Sequence, residues 1–187
     1  NLPGVQSASV AWVDFNNDGH LDVTIDGDSG GGMITRLYKQ ENGIFVEVNI
    51  DGFMGLCFGD IEWGDLDNDG DMDLVAAGSD IYLDGKIVLY ENKGNDEFIE
   101  HLTLNNPITS TTLDLGDYNN DGWLDIILAG KIIGCGGLAT TMLYRNETFF
   151  NFFIESPLIP GYKQGDVNWG DFNNDGYTDL VFTGLDG

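Results

Sequence analysis

The chain has 187 residues, of which 32 are acidic and 7 basic, giving a formal net charge of −25. So few Lys and Arg exclude the clustered basic contacts that nucleic acid or an anionic membrane surface requires. A hydrophobic content of 42% excludes a disordered acidic tail, and no apolar stretch approaches the length of a membrane-spanning helix.

Glycine is abundant, 27 residues against 4 prolines, which points to many tight turns. The opening Asn1-Leu2-Pro3-Gly4 has neither Met nor a basic-then-apolar leader pattern, and it reads as a processed or cut end. The first strand signal follows at about 8–13, where apolar Val10 and Trp12 flank Ala11. The segment Trp12 to Gly27, WVDFNNDGHLDVTIDG, then returns three times without gaps. The copies are WGDLDNDGDMDLVAAG from Trp63, LGDYNNDGWLDIILAG from Leu115 and WGDFNNDGYTDLVFTG from Trp169. Their first aspartates, Asp14, Asp65, Asp117 and Asp171, are spaced 51, 52 and 54 residues apart. A period of about 50 residues belongs to propellers and solenoid arrays.

Between the motifs the units also agree. Leu37-Tyr38-Lys39, Leu89-Tyr90-Glu91 and Leu143-Tyr144-Arg145 mark a third strand, and Ile44-Phe45-Val46, Phe98-Ile99 and Phe152-Phe153-Ile154 a fourth. For the second unit the expected strands are about 59–64, 73–78, 86–91 and 97–102. First strands alternate in polarity, whereas second strands such as Leu74-Val75-Ala76-Ala77 are continuously apolar, as when both faces are covered. The units run about 8–58, 59–109, 110–164 and 165–187, the last ending after its second strand at about 179–184. The expected architecture is all-β: a β-propeller of four-stranded antiparallel blades, with about three and a half blades present. An open arc exposes strand edges and a blade face. The rest of a longer chain, or a covering partner, is therefore expected against it.

Each motif reads D-x-[DN]-x-D-G-x-x-D, with oxygen side chains at positions 1, 3, 5 and 9. These are Asp14, Asn16, Asp18 and Asp22; Asp65, Asp67, Asp69 and Asp73; Asp117, Asn119, Asp121 and Asp125; and Asp171, Asn173, Asp175 and Asp179. Glycine at position 6 permits the sharp turn, and the carbonyl at position 7 (His20, Asp71, Trp123, Tyr177) can add a ligand. Six or seven hard oxygens suit Ca²⁺, and up to four ions are expected. Acidic surface turns are the plain alternative, but four copies in one register argue against it. An EF-hand needs Glu at position 12, where Ile25, Ala76, Leu128 and Phe182 stand. A nonapeptide β-roll needs a nine-residue repeat.

With these motifs the chain resembles the FG-GAP/VCBS repeat family, whose repeats build propellers such as the integrin α head. W-G-D-[FL]-[DN]-N-D-G, then D-L-[VI], then L-Y-[KER] is similar to its bacterial secreted version. The resemblance implies calcium between the first and second strands of each blade. It further implies an extracellular or cell-surface setting and a role in adhesion, carbohydrate binding or scaffolding.

No catalytic residue is expected, since His20 and His101 are the only histidines and neither sits in a nucleophile–base pattern. Glu62 and Asp114, on inner strands, are the remaining candidates for a carboxylate pair; the plainer reading is that they line a solvated channel. Cys57 and Cys135 can pair across adjacent blades or remain free thiols. The sequon Asn146-Glu147-Thr148 carries little weight.

The expected function is a non-enzymatic binding or adhesion module. A polysaccharide lyase-like enzyme and a structural spacer are the alternatives. A protein or glycan ligand is expected on the face opposite the calcium loops, where the connections differ from unit to unit. There lie Phe53, Met54, Leu56, Ile81, Tyr82, Leu83, Ile132, Ile133, Leu158, Ile159 and Tyr162.

Overall fold

A computed structural model describes residues 2–105, 108–132, 138–155 and 159–186. Among them are strands and turns but no helix, and hence no helix long and apolar enough to cross a membrane. The first sheet comprises β1 (Gln6–Val13), β2 (Asp22–Asp28), β3 (Met33–Glu41) and β4 (Ile44–Glu47). The second comprises β5 (Cys57–Gly64), β6 (Asp73–Ser79), β7 (Gly85–Asn92) and β8 (Phe98–Asn105). The third comprises β9 (Ile108–Gly116), β10 (Asp125–Ile132), β11 (Ala139–Asn146) and β12 (Phe152–Glu155). β13 (Tyr162–Gly170) and β14 (Asp179–Asp186) form a two-stranded fourth. Every pairing is antiparallel between sequence neighbours. First strands lie beside first strands, β1 on β5, β5 on β9 and β9 on β13, so the sheets stack as successive blades of an unclosed propeller.

The apolar run in each second strand follows from this stacking. Every residue of β6 is buried. Side chains alternate across a strand, so Leu74 and Ala76 pack with Ile61 and Val88, while Val75 and Ala77 meet Leu113 and Ile126 of the third blade. Trp63 crosses to the first blade, where its Nε1 donates to Thr24 Oγ1 at 3.1 Å. At β14 the same register position, Val181, is 56% exposed.

First strands begin earlier than the periodicity suggests, because each carries a bulge. The ladder of β5 shifts between Cys57 and Asp60, and Phe58 has φ +53°. Ser7, Ser110 and Gln164 repeat that left-handed conformation at the matching sites. Gly59 follows because a Cβ there would overlap the Ala77 carbonyl.

Candidate metal centre

The four acidic loops fold alike, and their backbone explains the motif. In the first loop, the Asp18 and Gly19 N–H groups donate to the two carboxylate oxygens of Asp14 at 3.0 and 2.9 Å. Asp18 N–H also reaches Asn16 Oδ1, and His20 N–H donates to Asp18 Oδ1. The same four bonds recur around Asp65, Asp67 and Asp69, around Asp117, Asn119 and Asp121, and around Asp171, Asn173 and Asp175. The backbone thus fixes the direction of the side-chain oxygens at positions 1, 3 and 5. The glycines Gly19, Gly70, Gly122 and Gly176 take φ +84° to +96°, closed to other residues without strain.

Position 9 closes the loop from below. Asp73 accepts Leu66 N–H at 2.9 Å and Asn92 N–H at 2.9 Å; Asp125 accepts Tyr118 N–H at 3.2 Å and Asn146 N–H at 2.8 Å. In the first blade Gln40 N–H donates to Asp22, and in the fourth Phe172 N–H donates to Asp179. Asp22, Asp73 and Asp125 are fully buried. Burial first, then neighbouring loop carboxylates, raise their affinity for protons against the pull of the backbone N–H groups. Asp73 is pushed up to about 7 and Asp125 to about 6, and Asp22 is raised in the same sense. In the second loop, one oxygen each from Asp65, Asp67 and Asp73 lies within 4.8 Å of the others, a trio able to hold a metal ion. The other loops offer an amide oxygen in place of Asp67 (Asn16, Asn119, Asn173). With no His or Cys in the donor set, the ion it fits is hard and divalent.

Two sets of asparagines escape the ligand count. Asn17, Asn68, Asn120 and Asn174, at position 4, all have φ between +56° and +59°, and three reach the next blade's loop. Asn17 Nδ2 donates to Asp71 Oδ1, Asn68 Nδ2 to the Gly122 carbonyl and Asn120 Nδ2 to the Gly176 carbonyl. Asn92 and Asn146, ending β7 and β11, reach backward instead. Asn92 Nδ2 donates to the Phe15 carbonyl at 2.8 Å and Asn146 Nδ2 to the Leu66 carbonyl at 2.9 Å, both at position 2 of the preceding loop. The signals in the sequence are the invariant Asn at position 4 among the four copies, and Leu-Tyr-x-Asn in the second and third units.

The sequon at Asn146 is occupied by this bond: the residue is fully buried and its amide nitrogen already donates. Cys57 is a buried free thiol, and Cys135 lies outside the described residues. His101 stacks on Phe150 at 4.4 Å and pairs with Glu91.

On the inner strands, Glu62 and Asp114 sit near Asp60 and Asp166. Burial, then the charges of Asp60, Asp114 and Asp166, push Glu62 up to about 7; Asp60 and Asp114 are raised, chiefly by burial. Asp114 is committed to structure, since its oxygens accept Leu115 N–H and, across the blade boundary, Trp169 N–H at 2.6 Å. Asp60, on β5, crosses two boundaries by accepting Ser9 Oγ–H from the first blade and Leu113 N–H from the third.

The opposite rim divides. Leu56 is fully buried, and Phe53 and Met54 pack into the core around Tyr90, whose hydroxyl accepts Met54 N–H. Ile159 packs beside Val167, and Tyr162 stacks on Phe182 at 5.0 Å. Ile132 is half-buried and pairs with Ile108. These side chains cap blade ends. Ile133 and Leu158 lie outside the described residues. Ile81, Tyr82 and Leu83 stand out at the β6–β7 hairpin tip, with Tyr82 78% exposed. Asp80 holds that tip by accepting Tyr82 and Asp84 N–H and pairing with Lys86.

Residues 65–128, from the first aspartate of the second loop into β10, match the family model of the FG-GAP-like repeat. This match supports an FG-GAP/VCBS type of repeat, as the motifs suggest. Among curated proteins no match to the chain is found.

Proposed function

We propose that the chain is a calcium-stabilised, non-catalytic binding module of a secreted or surface protein. The observation that carries this reading is the set of four loops with the same hydrogen bonds and all-oxygen donors. Asp, Asn and backbone oxygens on a glycine turn are the chemistry of Ca²⁺, and extracellular calcium is abundant enough to fill sites of modest affinity. In each loop the carboxylates at positions 1, 5 and 9, with the position-3 oxygen and the position-7 carbonyl, hold the ion. The bound ion neutralises charges that otherwise repel, so binding energy becomes folding energy.

Partner binding is assigned to the opposite rim, at Ile81, Tyr82 and Leu83. Three adjacent apolar side chains on a braced hairpin suit contact with a protein surface or the apolar face of a sugar ring. Carbohydrate-active chemistry at Glu62 and Asp114 is the weaker reading, because Asp114 is tied at both oxygens.

Calorimetric titration of metal-stripped chain tests the first part: saturable Ca²⁺ binding is expected, and its absence overturns the reading. A glycan and extracellular-protein array, probed with the native chain and with Tyr82→Ser, tests the second. Hits that survive the substitution unchanged remove the tip from the binding surface.

A further inference from the structure

A continuous hydrogen-bonded path, buried up to its last link at Tyr118, joins the first three acidic loops. It starts at the Phe15 carbonyl in loop one, which accepts Asn92 Nδ2 at 2.8 Å. Asn92 N–H donates to Asp73 Oδ1 at 2.9 Å, and Asp73 Oδ2 accepts Leu66 N–H at 2.9 Å. Leu66 links the two sides through successive peptide groups: its N–H serves Asp73, and its carbonyl accepts Asn146 Nδ2 at 2.9 Å. Asn146 N–H donates to Asp125 Oδ1 at 2.8 Å, and Asp125 Oδ2 accepts Tyr118 N–H at 3.2 Å in loop three. Leu66, Asp73, Asn92, Asp125 and Asn146 are all at most 1% exposed.

We infer that Asn92 and Asn146 are positioning residues that couple neighbouring metal loops, so that filling one loop tightens the next. The inference rests on the calcium reading above. Asp73 and Asp125 are ligands of their own loops, yet each is oriented by an asparagine whose other end is anchored on the preceding loop. Ion binding that fixes Asp73 holds Leu66 by its N–H, and with it the buried Leu66 carbonyl one peptide further on that anchors Asn146 and so the aim of Asp125. Five of these six links are buried, so a partner displaced there is not replaced by solvent, and the cost of misalignment is passed on. Asn146 Oδ1 has no hydrogen-bond partner although the residue is fully buried, an unfavourable placement for an amide whose binding role is only the Nδ2 contact. The exposed position-4 bridges, such as Asn68 to Gly122, compete with water and couple the loops less.

The test uses terbium as the probe on the full, metal-stripped chain. Trp123 stands at position 7 of loop three. The Trp123-dependent part of terbium emission, taken as the difference from Trp123→Phe, reports that loop. Disabling loop two with Asp65→Asn and Asp67→Asn should weaken terbium binding at loop three by about five- to tenfold, the ordinary range of site coupling. In an Asn146→Ala background the same loop-two change should leave loop-three affinity unaltered, completing a double-mutant cycle. Asn146→Leu, which retains volume, serves in place of Asn146→Ala if circular dichroism shows that the alanine variant is unfolded. A loop-three affinity indifferent to loop two overturns the coupling, and so does a drop that persists without the Asn146 amide. Absence of emission that calcium can displace, in the unaltered chain, instead overturns the calcium reading itself.

Discussion

The two rims of the arc solve different problems with the same strands. On the acidic-loop rim, four connections of eight residues repeat one hydrogen-bond pattern, and each is stitched to its neighbour. On the opposite rim, the connections differ in length and content. There the 51–56 segment turns Leu56 inward and Phe53 and Met54 onto the core, while the 80–84 tip points three apolar side chains to solvent. Repetition marks the shared structural task, and divergence leaves room for recognition.

The sharpest way to break this comparison is to remove metal. With each filled site contributing about 2–3 kcal/mol at ligand well above Kd, stripping calcium should lower Tm by roughly 10 °C or more for a chain of this size. Calorimetry before and after verified chelation decides it, and an unchanged melt removes the structural role from the acidic-loop rim.

Within that rim the second effect compares blades. Asp73→Ala strands two buried N–H groups, those of Leu66 and Asn92, and should cost on the order of 3 kcal/mol. Asp179→Ala, at a half-buried end with one such bond, should cost about 1 kcal/mol. Equal losses by denaturant unfolding would mean that burial does not distinguish the blades.

A third test moves to the opposite half, where buried acids have no cation motif. Asp26 is fully buried beside Ser9 and Asp60, and burial, then the Asp60 charge, pushes its carboxyl up to about 7. A raised folded pKa means that the native state holds the proton more tightly than the unfolded chain. Stability is therefore lost as pH rises from about 4 through about 7, and below that window Asp26 contributes nothing either way. Asp26→Asn should stabilise the chain by about 2 kcal/mol at pH 8, with the gain shrinking to zero near pH 4. Paired unfolding curves at fixed calcium check the sign, and a gain that grows on acidification contradicts it.

The smallest stability effect concerns the tip. Tyr82→Ser should change stability by less than about 0.5 kcal/mol while abolishing partner capture. Tyr162→Ser, which removes a ring stacked on Phe182, should cost about 1 kcal/mol. Matching losses in thermal melts would make both tyrosines caps.

Much of this was legible in residues alone, because each signal is local. The spacing of Asp14, Asp65, Asp117 and Asp171 is a count along the chain. The glycine at position 6 answers to its own φ, and the apolar run of β6 follows from burial on both faces, whereas in β1 the apolar Val10 and Trp12 stand exposed on the face with no preceding blade. The antiparallel meander then needs only short connections. The sequence therefore determined the repeat, the blade and the oxygen-bearing residues of the acidic loops.

Only the tertiary structure decided what crosses between blades. Asn92 and Phe15 are 77 residues apart and Asn146 and Leu66 are 80 apart, and no period links an amide to a carbonyl at such distance. Nor does composition tell Leu56, fully buried, from Tyr82, exposed, although both lie in apolar connections on one rim. Val75 and Val181 occupy the same place in the repeat, yet one is buried and the other open. The physical reason is the same in each case. A backbone conformation is set by residues a few positions away, whereas burial and a buried hydrogen bond depend on which surface folding brings opposite.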